Sequence, residues 1–158
     1  MFQKILVAID MSDMGEKVFA QALSLAKSHQ ASLMLLHVLS AEEDYSPLPI
    51  PPDLATMYPA SGNDLTLQTW QKQWEEFEKQ GLELLQSLSL KAADEGVSAE
   101  YQQLYGSPAR TICKLAQDWP ADLIVVGHRG RSGLSEMILG SVSNYVLHRA
   151  PCSVLIVQ

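Results

Sequence analysis

Basic residues are scarce in this sequence. Eleven Lys and Arg stand against eighteen Asp and Glu, for a formal net charge of −7, and that balance argues against general nucleic-acid or anionic-membrane binding, since both depend on a positive surface field. A phosphate ligand would need positive charge gathered locally. No apolar run approaches membrane-spanning length. Met1-Phe2-Gln3-Lys4 followed by the short run Ile5 to Ile9 has neither the h-region nor the small-residue cleavage site of a secretory leader, so a cytoplasmic location is expected. The two cysteines, Cys113 and Cys152, lack metal-ligand spacing and fall in helical and strand patterns, which reads as buried thiols. The P-loop pattern G-x-x-x-x-G-K-[ST] is also missing, leaving that nucleotidase class unsupported.

What is present is the pattern of one α/β domain over residues 1–158, a length that can bury a core without disulfides or metal. Lys4 to Ile9 is an apolar run of strand length, with Asp10 at its end. From Met14 to about His29, Val18, Phe19, Ala22, Leu23, Leu25 and Ala26 recur at helical spacing, and Ser12 or Asp13 is placed to cap that helix. Ser32 to Val38 is a second strand, apolar on both faces as in a covered parallel sheet. Ser40 to about Asn63 holds Pro47, Pro49, Pro51, Pro52 and Pro59 and reads as a long loop. It is either a surface insertion or a cover for a site at the sheet's carboxyl edge.

Asp64 to about Glu95 is a long helix whose Leu67, Trp70, Trp74, Phe77, Leu84, Leu85 and Leu88 form a packing stripe. Ser98 to Tyr105 alternates like an edge strand, Ala109 to Asp118 is helical after Pro108, Leu123 to Val126 is a strand, Ser141 to Arg149 a short helix and Ser153 to Val157 the last strand. No repeat, low-complexity tract or linker interrupts this order. Alternating strands and helices predict one open, mainly parallel sheet covered on both faces, with its switch point between strands one and four. Asp10, the end of strand two near Val38 and the turn at Gly127 then share one edge.

The densest cluster of donors follows strand four: Gly127-His128-Arg129-Gly130-Arg131-Ser132-Gly133, then Gly140-Ser141-Val142-Ser143. Glycines at a strand end admit close backbone approach, and the free N–H groups of a following helix favour an anion. Arg129 and Arg131 suit forked contact with phosphate oxygens, or face solvent. Asp10 either caps the first helix or reaches a ligand. His29, His37 and His148 read as packed or exposed residues, whereas His128 lies near the glycine turn.

Gly127-His128-Arg129-Gly130, nine residues, then Gly140-Ser141 resembles the G-x-x-G-x9-G-[ST] signature of ATP-binding universal stress proteins. Ile5-Leu6-Val7-Ala8-Ile9-Asp10 with Ser12, His37-Val38, Gly106-Ser107-Pro108-Ala109 and the closing Val146 to Val157 are also similar to segments of that family. The resemblance implies a Rossmann-like fold of the adenine nucleotide alpha hydrolase type, a five-stranded parallel sheet of order 3-2-1-4-5, and a homodimer formed through the last strand. It implies that Asp10, flanked by Ala8 and Ile9, reaches the ribose or a phosphate-bound Mg²⁺, and that Val38 meets adenine through its main chain. Gly127, Gly130, Gly140, Ser141 and Ser143 would cradle phosphates with Val142 beside them. His128, Arg129 and Arg131 lie inside the signature at variable positions, so their roles rest on chemistry alone.

No base for phosphoryl transfer is identifiable. The expected function is therefore a nucleotide sensor holding ATP, ADP or AMP with Mg²⁺ and signalling to a partner the sequence does not name. A weak ATPase and a nucleotide-free interaction module are the alternatives.

Overall fold

The computed structural model describes residues 1–43, 46–47, 63–128 and 139–158. In chain order they form β1 (Lys4–Ile9), α1 (Asp13–His29), β2 (Ser32–Leu39), α2 (Asn63–Asp94), β3 (Ala99–Tyr105), α3 (Pro108–Asp118), β4 (Leu123–Gly127), α4 (Ser141–Arg149) and β5 (Ser153–Val157). All strand pairs are parallel, in the order β3-β2-β1-β4-β5. The expected open sheet is present, with β3 and β5 at its two edges.

Successive strand residues point to opposite faces, and the core divides by that parity. Ile5, Val7 and Ile9 of β1 join Leu33, Leu35, Leu123 and Val125 under Val18, Phe19, Ala22 and Ala26 of α1 and Leu85, Leu88 and Ala92 of α2. Leu6, Met34, Leu36, Val38 and Ile124 meet the other layer, built by Ile112, Cys113, Leu115 and Ala116 of α3 and Val146 of α4. Both faces of the central strands are dry. That is why β1, β2 and β4 read as near-continuous apolar runs, while the edge strand β3 keeps Glu100, Tyr101 and Gln102 exposed.

Helix ends follow their local chemistry. α1 stops at Gln30, whose left-handed backbone (φ 56°) turns the chain so that the following N–H, of Ala31, also reaches the Ala26 carbonyl at 2.9 Å. Pro108 begins α3, where a missing N–H costs nothing. On α2, Trp70 meets Trp74 edge-on at 6.1 Å and Trp74 meets Phe77 at 5.9 Å, and Phe77 is buried. The aromatic stripe is packing, although Leu67 at its start is exposed. Cys113 is buried and Cys152 half-buried against the same layer. Burial pushes both thiols above the usual cysteine range.

β1 lies between β2 and β4, so the chain leaves it to one side through α1 and returns on the other through α3. The switch point falls there. Each connecting helix runs from the carboxyl edge of the sheet back to the amino edge, which puts the starts of α1 and α4 at the same end as Asp10.

Candidate functional site

Asp10 is the first residue past β1. Its Oδ1 accepts the Ser12 N–H at 3.0 Å and the Ser12 hydroxyl at 2.5 Å, which makes an Asx turn into α1. Ser12 holds the N-cap position in extended conformation, but no side chain caps the helix. The hydroxyl expected to cap is bound to Asp10 instead. Nor does Asp10 cap α1; it closes the turn before it. At Gly15 a Cβ would run into the Asp10 carbonyl and come within 3.2 Å of Asp10 Oδ1, so the first turn of α1 rests directly on the Asp10 peptide.

The register aligns Ile9 with His37 and Val7 with Val125, bringing Asp10, Val38 and Gly127 to one carboxyl edge on adjacent strands about 4.8 Å apart. The side chains of Ala8 and Val38 pack into the α3–α4 layer and that of Ile9 into the α1–α2 layer. Any contact these three make at the edge belongs to the main chain. A Cβ on Gly127 would stand 2.5 Å from Met14 Cγ and 3.2 Å from Val18 Cγ2, so glycine here lets α1 close on the end of β4. His128 donates its N–H to the Val157 carbonyl at 2.7 Å, extending the ladder to β5.

At the start of α4, Gly140 is the N-cap residue and its carbonyl accepts the Asn144 N–H at 2.9 Å. The Ser143 hydroxyl donates to the same carbonyl at 3.0 Å, and Ser143 is buried. Its hydrogen is thus held inside the first turn. Ser141 is exposed, and Val142 packs against the α3–α4 layer. The leading N–H groups of a helix have no partner within it, so Ser141 to Ser143 offer backbone donors at the carboxyl edge. Arg129, Gly130 and Arg131, and most of the proline-rich stretch, lie outside the described residues.

The structure therefore sets Asp10, Val38, Gly127 and His128 along one carboxyl edge of the sheet, with the start of α4 at the same end. One further group reaches the site without having been read from the sequence: Glu43 Oε1 accepts the Met11 N–H at 2.7 Å, one residue from Asp10. The available signal was His37, a polar residue in an otherwise apolar strand, which needs a buried partner. Among the described residues no cluster of three or more His, Cys, Asp or Glu could hold a metal ion. No helix among those residues is long and apolar enough to cross a membrane.

The sequence profile of the universal stress protein family matches residues 1–158. The chain is 40% identical over 159 residues to the universal stress protein YxiE of Bacillus subtilis, covering 100% of both. Its fold is similar to that of the universal stress protein UspA from Lactobacillus plantarum, with a TM-score of 0.76 at 24% identity over 99% of this chain and 98% of the other. It is also similar to a universal stress protein solved in complex with cAMP, with a TM-score of 0.65 at 25% identity over 99% and 97% of the two chains. The chain belongs to the universal stress protein family.

Proposed function

We propose that this protein binds an adenine nucleotide, ATP or its products ADP and AMP, at the carboxyl edge of β1, β2 and β4, and acts as a nucleotide-dependent module of the stress response. The observation that carries this reading is that the Asp10 turn and the α4 N-terminus lie at the same carboxyl edge of the sheet. A carboxylate acceptor and a row of backbone donors on one edge are what a ribose and a phosphate chain require. A similar protein solved with cAMP supports the adenine class.

In this reading the Val38 main chain, with Ala8 and Ile9 beside it, meets the base, and Asp10 takes the ribose hydroxyls or a hydrated Mg²⁺. Gly127, Gly130, Gly140, Ser141 and Val142 line the phosphates, Ser143 steadies the turn that presents them, Arg129 and Arg131 add charge, and His128 stands beside them. Mg²⁺ arriving with the phosphates would neutralise their charge. Such donors hold a bound ground state and do not by themselves accelerate a reaction, so the output is a change in shape or subunit contact that a signalling partner in the cytoplasm reads. A second copy pairs through β5, the open edge beside β4.

The ligand released from freshly purified protein identifies the nucleotide by mass spectrometry. An adenine mono-, di- or triphosphate is expected at near-stoichiometric yield; a non-nucleotide metabolite in its place would redirect the assignment.

A further inference from the structure

His37 lies on the α1–α2 face of β2, buried to 1% exposure, and the nucleotide reading gives it no role. Its Nε2 stands 2.9 Å from Glu43 Oε2, and Glu43 is itself 7% exposed. On the other side its Nδ1 stands 3.0 Å from Gln103 Nε2 of β3, which also donates to the Glu78 carbonyl of α2 at 3.0 Å. A backbone carbonyl only accepts. The Gln103 atom facing it is therefore the amide nitrogen, and the second hydrogen of that nitrogen points to His37. Nδ1 is then an acceptor, and the imidazole carries its proton on Nε2 and donates it to Glu43.

The chain of bonds has one direction. Gln103 donates to His37, His37 donates to one oxygen of Glu43, and the other oxygen of Glu43 accepts the Met11 N–H at 2.7 Å. It links β3, β2 and the residues after β2 to the turn that carries Asp10. Little room is left for a different arrangement: a Cβ at Gly81 of α2 would stand 2.5 Å from His37 Nδ1, and the ring meets Phe77 edge-on at 5.7 Å.

We infer that Glu43 and His37 are positioning residues for the nucleotide site. Glu43 fixes the Met11 peptide so that the Asp10 carboxylate keeps its place, and His37, in its neutral Nε2–H form, fixes Glu43. The inference rests on the nucleotide reading of the Asp10 edge. It also separates the polarity of position 37 from its bulk, because a glutamine there can accept from Gln103 through its oxygen and donate to Glu43 through its nitrogen, while a leucine can do neither.

The experiment measures ATP affinity by calorimetry, and Met11 amide exchange by NMR without nucleotide, in the wild type, Glu43→Gln, His37→Gln and His37→Leu. Glu43→Gln keeps the shape but loses one of two acceptors, and is expected to weaken ATP about tenfold or more, the equivalent of one charge-assisted hydrogen bond, with faster Met11 exchange. His37→Leu should do the same, and His37→Gln should stay close to wild type in both readouts. Wild-type affinity and exchange in Glu43→Gln, or equal losses in His37→Gln and His37→Leu, would overturn the inference while leaving the site standing. If His37→Leu does not fold, Glu43→Gln and His37→Gln decide. A wild type that binds no adenine nucleotide removes the site reading and this inference together.

Discussion

The carbonyl oxygen of Asp10 occupies the space that a side chain at position 15 would fill. The obstacle is backbone, so nothing flexible can swing aside. Gly15→Ala is expected to cost about 1–3 kcal/mol of stability, as overpacking does, and to weaken nucleotide binding by shifting the Asp10 turn. Gly96 provides the contrast, with positive φ (79°) and nothing near its missing Cβ. Gly96→Ala should cost about 1 kcal/mol through backbone strain alone and leave affinity untouched. Urea unfolding and ATP titration of both variants check this; equal affinity losses would contradict it.

Gly127 has a packing requirement of its own, set by Met14 and Val18 of α1. Gly127→Ala should destabilise the protein, and Met14→Ala should relieve part of that cost by clearing the atom in the way. A double-mutant cycle is therefore expected to be non-additive by about 0.5–3 kcal/mol. Additive effects would mean that α1 does not close on the end of β4 as described.

The thiols offer a check on the α3–α4 layer. Burial raises Cys113, and burial with the nearby Asp122 charge raises Cys152. A raised pKa lowers the thiolate fraction at a given pH, and thiolate is the reacting species. Near neutral pH both should alkylate about tenfold or more slowly than free cysteine, accelerate as pH rises, and reach the free rate in urea. Fast modification of the folded protein would place them outside the core.

The fold is largely legible in the sequence because its signals are local or periodic. Runs such as Ile5 to Ile9 and Leu123 to Val126 mark strands covered on both faces, and Val18, Phe19, Ala22 and Ala26 mark the buried stripe of α1. Element ends differ by a residue at α1, β2, α2, β3, α3 and β4, where hydrogen-bond and pattern criteria part. The site is legible in outline, since topology alone carries Asp10, Val38 and Gly127 to one edge. Its internal wiring is not. Ser12 looks like a cap until the fold shows its hydroxyl turned to Asp10, and the bond between His37 and Gln103 spans 66 residues and exists only through the β2–β3 register.

The proposed dimer makes β5 its interface. Ile156 is half-buried on that edge strand and belongs to neither core cluster, so Ile156→Asp should shift sedimentation from dimer to monomer while the unfolding transition stays cooperative. A dimer that persists would move the interface elsewhere.

Nucleotide binding at the Asp10 edge is tested most directly by titrating Mg·ATP into the protein in a calorimeter, beside a Gly140→Val variant. Gly140 has φ −58° and ψ 157°, a backbone that residues with side chains also adopt, so the variant fills the proposed phosphate path without demanding a new turn. Saturable binding to the wild type, displaced by ADP or AMP, is expected, with affinity lost in a folded Gly140→Val. No heat and no competition at millimolar Mg·ATP, or full affinity in the variant, would contradict it.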